Sequence, residues 1–298
     1  MILNDSAHAS PNCANCGAEV NEQYCPRCGQ SRDDIKRPFW SLATDTLDGL
    51  LSWDGRLLTT LRQLYTRPGQ VARDYTDGKR SSFTAPVRLY VIVSLVFFAA
   101  MTISGVRIFA VDTVSTETGP GVSITMFQPP RTNEPPAFTA EERAEMTASA
   151  SELGVDPFWI NLGLYAADHP SEVESKAAAA ANQAMILMVF VFILVNMALH
   201  PHARIIEHTI HALYYHAAFL PIAGAVLIVG VYMNMSLSVA LAVLVAGLIC
   251  SMAAYYLFDR GFYGSSWWGA ILRAVTMSTV YGFATVCLAL GLIVLATL

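Results

Sequence analysis

Charge is what this chain of 298 residues lacks. Only 14% of its residues are charged, compared with about a quarter in soluble domains, whereas 54% are hydrophobic and the mean hydropathy is +0.44. The last hundred residues contain five charged side chains in all. This scarcity excludes a disordered tail protein, a nucleic-acid binder and an ordinary cytosolic enzyme. It indicates a membrane protein with a polar front end, whose first partner is the lipid bilayer and which has no nucleic-acid partner.

The features of a signal peptide are also missing. The first residues, Met-Ile-Leu-Asn-Asp-Ser, have neither a basic start nor an apolar core. We therefore expect the first ~30 residues to stay in the cytoplasm. Residues 1–12 are expected to form a disordered lead. Cysteine is scarce beyond the N-terminal region, where Cys250 and Cys287 lie alone in apolar runs. A thiol in such a run packs as a small hydrophobic side chain.

The other four cysteines form two Cys-x-x-Cys-Gly motifs separated by eight residues. Each motif spaces two sulfur atoms for one ion, and its glycine permits the turn that points backbone N–H groups at them. Two such turns make a closed tetrahedral site, which is typical of structural zinc. We therefore predict a zinc ribbon over residues 13–30 that binds one Zn²⁺ per chain through Cys13, Cys16, Cys25 and Cys28. The alternatives are two disulfides, a redox dithiol or an iron site, and a cytoplasmic location disfavours the first two.

The hydropathy pattern predicts an all-α polytopic membrane protein with about five transmembrane helices. Apolar runs of roughly 20 residues, the length that a bilayer requires, occupy about Leu89–Ala110, Ala177–Leu199, Ala212–Tyr232, Leu237–Phe258 and Ala270–Leu295. Four spans are the alternative, if a short run is re-entrant. The predicted regions are a lead (1–12), the zinc ribbon (13–30), amphipathic interfacial helices (31–86), transmembrane helix 1 (87–110), an extracytoplasmic acidic loop with short helices (111–176) and transmembrane helices 2–5 (177–298).

The two polar regions contain helix signals of their own. From Pro38 to Tyr65, leucines and aromatic residues recur at helical spacing with arginines between them. This pattern favours helices that lie on the membrane surface, and the alternative is a small soluble helical domain packed on the zinc ribbon. In the acidic loop, Thr139 and Glu142 form a capping-box pattern that predicts a helix ending near Gly154. Asp156-Pro157 predicts the start of a second helix.

The distribution of basic residues predicts the orientation. With five spans and a cytoplasmic N-terminus, 14 of the 18 Lys and Arg residues lie on the cytoplasmic side, and the loop 111–176 contains eleven acidic residues. Cytoplasmic loops of membrane proteins carry such an excess of positive charge. We therefore expect the loop and the C-terminus on the extracytoplasmic side.

Two polar clusters are candidate sites. Arg67, Lys79, Arg80 and Arg88 precede or begin the first span, where they could contact anionic lipid headgroups or act as a plain basic anchor. Near the third span, five residues could form a second polar or metal site: His202, Glu207, His208, His211 and His216. A metal enzyme would need at least three of these five groups within about 5 Å of one another. The alternative is a set of hydrogen-bonded structural histidines, and we also expect Asp259 to pair with Arg273.

The chain resembles a family of uncharacterised bacterial integral membrane proteins that carry an N-terminal Cys₄ zinc ribbon. The matching stretches are CANCG and CPRCGQ, WDGR at residues 53–56, RPGQV at 67–71, Tyr75 with GKR at 78–80, PVRLY at 86–90, Glu207-His208, and His216 with Phe219. The stretch from Arg67 to Arg80 is the most specific part. The resemblance implies the fold, the topology and a bacterial inner-membrane location, and it implies no reaction.

These features are compatible with three functions. The first is a non-enzymatic scaffold, sensor or regulator at the cytoplasmic face, which binds membrane or cytoplasmic proteins through the zinc ribbon. The second is a transporter or lipid-handling protein that uses Asn182, Gln183, Asn196 and His216 between the spans. The third is an intramembrane metal enzyme built on the histidine cluster.

Overall fold

The computed structural model of the chain describes residues 12–32, 55–116, 119–133, 137–233 and 237–297. The predicted lead and the first part of the predicted interfacial helices, from Pro38 to Trp53, lie outside the described residues. The part of the chain that is described consists mostly of helices and contains one two-stranded sheet. Its elements are α1 (Gly55–Thr66), α2 (Gln70–Thr76), α3 (Pro86–Ser104), β1 (Arg107–Thr116), β2 (Gly119–Gln128), α4 (Ala140–Glu152), α5 (Pro157–Asp168), α6 (Pro170–Leu199), α7 (Ile205–Tyr232), α8 (Leu237–Tyr263) and α9 (Trp267–Thr297).

Among the described residues, four helices are long and apolar enough to cross a membrane. They are Pro86–Ser104, Pro170–Leu199, Ile205–Tyr232 and the segment Trp267–Leu288 of α9. Helices of this length and composition are those of a membrane protein. The predicted fourth span coincides with α8, which has 27 residues, and a total of five spans stays a prediction.

The first span is shorter than the sequence predicts, and a β-hairpin follows it. Helix α3 ends at Ser104, and Gly105 takes a left-handed conformation with φ of 66°. The chain then continues as β1, which pairs antiparallel with β2 from Arg107 opposite Gln128 to Thr116 opposite Gly119. The prediction of a helix over 87–110 in an all-α chain is therefore wrong at this point. Hydropathy counted the apolar residues at the start of β1 as span, although a run rich in β-branched side chains favours a strand.

The Cα positions divide the chain into two compact units. The hairpin unit comprises Phe98–Val191, Ala223–Val243 and Val280–Leu298. Apolar side chains from β1, α5 and α6 form its core: Phe109, Val111, Ala166, Val173 and Ala177. Beside this core, the Glu174 carboxylate accepts hydrogen bonds from Arg107, Arg131 and the Val111 backbone N–H. One carboxylate thus links the start of α6 to β1 and to the segment that follows β2.

The two short helices of this unit begin where their caps predict. Thr139 and Glu142 form the reciprocal capping box of α4, and the Asp156 carboxylate accepts from the Phe158 backbone N–H at 2.8 Å to begin α5. Arg143 on α4 forms an ion pair with Asp168 at the end of α5. The hydrogen bond from this guanidinium lowers the pKa of the Asp168 carboxyl. Helix α6 begins at Pro170, seven residues before the predicted start of the second span.

The second unit, which we call the core unit, comprises Met1–Phe97, Phe192–Ile222 and Leu244–Thr279. Its tightest contact joins the turn between α1 and α2 to the last turns of α8. Gly69 has a φ of 76°, and a Cβ atom built on it would lie 2.3 Å from the Phe258 carbonyl oxygen. A Cβ atom built on Gly261 would lie 2.0 Å from the Pro68 carbonyl oxygen. Two glycines that face each other therefore allow the two backbones to touch.

Side-chain hydrogen bonds strengthen this contact. The Gln70 amide donates to the Gly261 carbonyl at 3.0 Å, and the Arg73 guanidinium donates to the Phe262 carbonyl at 3.4 Å. The Arg-Pro-Gly-Gln stretch thus supplies the close approach and the Gln70 amide, and Arg73 adds a second donor to the end of α8.

We expect Gly261→Ala to destabilise the protein by about 1–3 kcal/mol, because its methyl group has no space beside the Pro68 carbonyl. Thermal unfolding of the purified protein in detergent measures this loss. Gly247→Ala is the matched control on the same helix, since nothing lies within 4 Å of a Cβ atom built there. Equal melting temperatures for the two variants would contradict the close contact.

Candidate functional site

The cysteine module, residues 12–32, consists of two knuckles, each closed by one antiparallel bridge. Asn12 pairs with Glu19 across the first knuckle, and Tyr24 pairs with Ser31 across the second. The glycine after each second cysteine has a positive φ, 74° at Gly17 and 72° at Gly29. The N–H of each glycine donates to the carbonyl of the first cysteine of its knuckle, at 2.8 and 2.9 Å. The Cys-x-x-Cys-Gly spacing therefore forms the turns that it predicts.

The two knuckles bring the four cysteine sulfur atoms together. The Sγ atoms of all four lie within 4.8 Å of one another, with 3.6 Å between Cys13 and Cys28 and 3.5 Å between Cys16 and Cys25. Cys13 and Cys25 are buried, and Val20 packs against them. This cluster could hold a metal ion. Within the described residues, no other group brings three His, Cys, Asp or Glu ligand atoms this close.

The environment of Cys28 favours the thiolate, which is the form that binds metals. Burial opposes its ionisation, but the Gln30 backbone N–H donates to the sulfur, and the pKa of the Cys28 thiol falls to about 6. The hydrogen bond from Gln30 thus favours ionisation of one of the four thiols.

The cysteine module is docked on the turn between α2 and α3 through Gln30. This side chain is 4% exposed, and its amide nitrogen donates to the Gly78 carbonyl at 2.8 Å. Its amide oxygen accepts from the backbone N–H groups of Arg80 and Ser81, both at 3.1 Å. A fourth hydrogen bond joins the Ser82 hydroxyl to the Asn15 side chain at 2.7 Å. One glutamine therefore satisfies three backbone groups of the turn, which we call the docking turn, residues 78–82.

Aromatic and polar contacts connect the docking turn to α7. The Arg80 guanidinium lies over the Tyr75 ring, 5.6 Å from its centroid, and Tyr75 packs edge-on against Tyr214 at 5.9 Å. The Tyr214 hydroxyl donates to the Thr84 carbonyl at 2.7 Å, and the Thr84 N–H donates to the Thr60 hydroxyl at 3.0 Å. The module, the docking turn and α7 thus form one continuous set of packed contacts.

The four basic residues expected at lipid headgroups do not form one exposed set. Arg67 and Lys79 are about half exposed and share the Asp74 carboxylate, at 3.6 and 2.7 Å. Arg80 lies over the Tyr75 ring, and Arg88 is buried on α3 at 8% exposure. Only Arg67 and Lys79 are therefore placed where a headgroup could reach them, and Asp74 already neutralises part of their charge.

The candidate residues near α7 are spread over several environments. His202 is exposed, and Glu207 pairs with Arg204 at 2.8 Å. The buried His208 forms a hydrogen bond between Nδ1 and the Tyr263 hydroxyl at 2.7 Å, and the Nδ1 atom of His216 bonds the Ala212 carbonyl at 2.7 Å. His211 is fully buried among aromatic rings. The three-ligand arrangement that a metal enzyme needs is not formed by these five residues.

Sequence reasoning missed the central contact of this region. His200 Nε2 donates to Oδ1 of the fully buried Asp259 at 2.6 Å, across 59 residues of sequence. The expected pair between Asp259 and Arg273 is confirmed at 3.8 Å. A signal for this cluster was present in the sequence, since Asp259 is one of only five charged residues among the last hundred.

The polar residues expected between the spans divide into two groups. Asn196 is fully buried, and its amide oxygen accepts from the Tyr255 hydroxyl at 2.8 Å. Asn182 and Gln183 are exposed on the surface of α6. Of these three residues, only Asn196 forms a buried polar contact in the core unit.

One segment of this chain is similar to a known protein family. Residues 54–98 match the model of a family described as a protein of unknown function (DUF3667). The described part of this match contains α1, α2, the docking turn and the first half of α3, so it includes Gly69 and the groups that Gln30 bonds. The chain matches no curated protein and no solved structure.

We expect Gln30→Ala to loosen the docking turn, because it removes three buried hydrogen bonds worth about 1 kcal/mol each. Amide hydrogen exchange of residues 78–82 in the purified protein should become roughly a hundredfold faster. Gln23→Ala is the control, since that side chain is exposed in the same module. Unchanged exchange in Gln30→Ala would show that the glutamine does not hold the turn.

Proposed function

We propose that this chain is a multi-pass membrane protein that works as a scaffold or regulator at the cytoplasmic face and has no catalytic activity. In this proposal, a zinc-loaded cysteine module is the part that responds to or binds partners. The observation that supports this proposal is the position of the Gln30 side chain, which joins the second knuckle to the docking turn by three hydrogen bonds. A module attached in this way changes the position of the turn when its own fold changes.

The donor set and its spacing support zinc. Thiolates are soft ligands that favour Zn²⁺, and a tetrahedral ion with Zn–S bonds of about 2.3 Å requires sulfur atoms about 3.8 Å apart. The separations of 3.6 and 3.5 Å are close to this value. Four thiolates fill the coordination shell, so the ion has a structural role. Because the module spans only 21 described residues and has a small core, the ion supplies much of its folding energy.

The free face of the module is its proposed partner surface. Gln30 and Asn15 face the docking turn, whereas Tyr24 is 55% exposed. Exposed aromatic side chains are enriched at protein interfaces. A membrane or cytoplasmic protein would bind there without displacing the module from the turn.

The proposed topology follows the distribution of basic residues. The cysteine module and the docking turn are cytoplasmic, whereas the hairpin, α4 and α5 are extracytoplasmic, and five spans place the C-terminus outside. The reducing cytoplasm would also keep the four thiols available for a metal.

Transport is the second candidate function, and one observation favours it. The buried contact of Asn196 with Tyr255 lies between two apolar helices, where a polar pair is costly and commonly has a functional role. The exposed positions of Asn182 and Gln183 give this function no further support.

The zinc assignment is tested by elemental analysis of the purified full-length protein. We expect about one zinc per chain in the parent and a complete loss when Cys13→Ser and Cys16→Ser are combined. Cys250→Ser, which changes an exposed cysteine outside the module, should keep the metal. Chelation should also accelerate amide exchange of residues 78–82, because the module would no longer hold the docking turn.

Full zinc content in the double variant would contradict the four-cysteine site. Iron in place of zinc would contradict the identity of the metal. Loss of zinc without faster exchange in the docking turn would contradict the regulatory role.

The topology is tested with alkaline phosphatase fusions, which are active only outside the reducing cytoplasm. We expect activity for fusions after Gly154 and after Leu298, and no activity for a fusion after Gly264, between α8 and α9. An inactive fusion after Gly154 would reverse the orientation, and an inactive fusion after Leu298 would favour four spans.

A further inference from the structure

The last turns of α8 carry a buried carboxylate that has two basic partners. Asp259 is fully buried, with His200 Nε2 at 2.6 Å from Oδ1 and Arg273 Nη1 at 3.8 Å from Oδ2. Arg273 is held in place because it donates to the Leu199 carbonyl at 3.3 Å and to the Ser265 hydroxyl at 3.1 Å. Ionisable groups buried in apolar helix bundles are costly, and they mark functional sites.

A proton bound by His200 would change the net charge of this group from 0 to +1. The Asp259 carboxylate and the Arg273 guanidinium cancel each other, so a neutral His200 gives the group no net charge. The side chain of His200 is 10% exposed, which gives it access to solvent, whereas Asp259 has no exposed surface. Because Nε2–H is already donated to Asp259, a proton from bulk water would add to Nδ1 of His200. No other bond forms or breaks, and the imidazolium then faces the carboxylate directly.

A divalent cation fits this place poorly. The fixed Arg273 guanidinium repels a metal ion from the Asp259 carboxylate. Among the described residues, the three-ligand grouping that a metal ion needs occurs at the four cysteines and not here. The group is also closely packed, because the His200 and Tyr263 rings stack at 3.7 Å between centroids. A proton needs less space there than a metal ion does.

Tyr263 connects His200 to a second histidine on α7. The His200 ring stacks on the Tyr263 ring with 12° between their planes, and the Tyr263 hydroxyl bonds Nδ1 of His208 at 2.7 Å. A positive charge on His200 lies directly on the face of the tyrosine ring, where it is attracted by the ring electrons. It also polarises the hydroxyl that bonds His208. The charge of His200 is therefore felt on α7 through one aromatic residue.

His211 is a further histidine that lies beside Tyr263. It is fully buried, and neither of its ring nitrogens has a hydrogen-bond partner among the described residues. Its ring lies 5.1 Å from the Tyr263 ring. A neutral imidazole has one donor and one acceptor to satisfy, and a buried polar group without partners calls for a water or another ligand. His211 thus leaves both ring nitrogens without a hydrogen-bond partner beside Tyr263.

We propose that His200 and Asp259 form a proton-binding site at the end of the helix bundle, and that Tyr263 transmits its charge to His208. The other charged and titratable groups that face this site are Arg273 from α9, His208 and His211 from α7, and Tyr255 and Tyr263 from α8. Glu207, which also lies on α7, is paired with Arg204. The site is independent of the metal in the cysteine module.

Histidine-selective ¹⁵N NMR of the full-length protein in detergent tests this proposal between pH 5 and 8, the range in which histidine side chains ordinarily change charge. The His200 signal, assigned by its loss in His200→Gln, should titrate within this range. The His208 signal should shift with the same midpoint. In Asp259→Asn, the pH dependence of the His200 and His208 signals should change, because the imidazolium loses its anion and keeps the Arg273 cation nearby.

Tyr263→Phe separates the two parts of the proposal, since it keeps the stacked ring and removes the hydroxyl. His200 should still titrate in this variant, and His208 should no longer follow it. His202→Gln is the control, because His202 is exposed and lies two residues from His200; it should leave the coupled shift unchanged.

Two results would overturn the proposal. The first is a His200 signal that does not change between pH 5 and 8. The second is a shift of His208 at the same midpoint that persists in His200→Gln or, if that variant does not fold, in Tyr263→Phe.

Discussion

The core unit depends on a backbone contact between two glycines. Gly69 and Gly261 have no side chains in the way, so the turn before α2 rests directly on the last turns of α8. On one side of this contact, α2 leads into the docking turn that Gln30 bonds. On the other side, the same turns of α8 carry Asp259 and Tyr263. A close-packed protein interior transmits small displacements, and a shift at this contact would therefore move both sites.

The local signals in the sequence predict the local structure well. The Cys-x-x-Cys-Gly spacing predicts knuckles, and the structure has them with the positive φ values that glycine allows. The capping box of α4 forms as Thr139 and Glu142 indicate. The hairpin is the main failure, because hydropathy counts apolar residues without regard to period. Arg107 interrupts the apolar run and the following residues are rich in β-branched types, so strand propensity outweighs hydropathy there.

The candidate sites were predictable only where their residues are close in sequence. The four cysteines lie within sixteen residues, and their spacing alone predicts the cluster that could hold a metal ion. The contact of His200 with Asp259 spans 59 residues and requires α6 and α8 to end at the same place. His208 and His211 are three residues apart, so helical spacing places them on the same side of a helix, and both are buried on α7. That spacing could not show that their neighbours would be Tyr263 and other aromatic rings rather than further metal ligands.

Helix α7 is the element that contacts both sites, and the physical character of the two sites differs. The cysteine module reaches α7 through Arg80, Tyr75 and Tyr214, a path of one cation–π contact and one edge-on pair of buried rings. The His200 group reaches it through Tyr263 and His208, a path that includes a hydrogen bond and can carry charge. Four thiolates around one ion form a closed shell, which suits a structural role. The side chains of His200 and Arg273 are 10% and 30% exposed, so the second group is in contact with solvent although its carboxylate is fully buried.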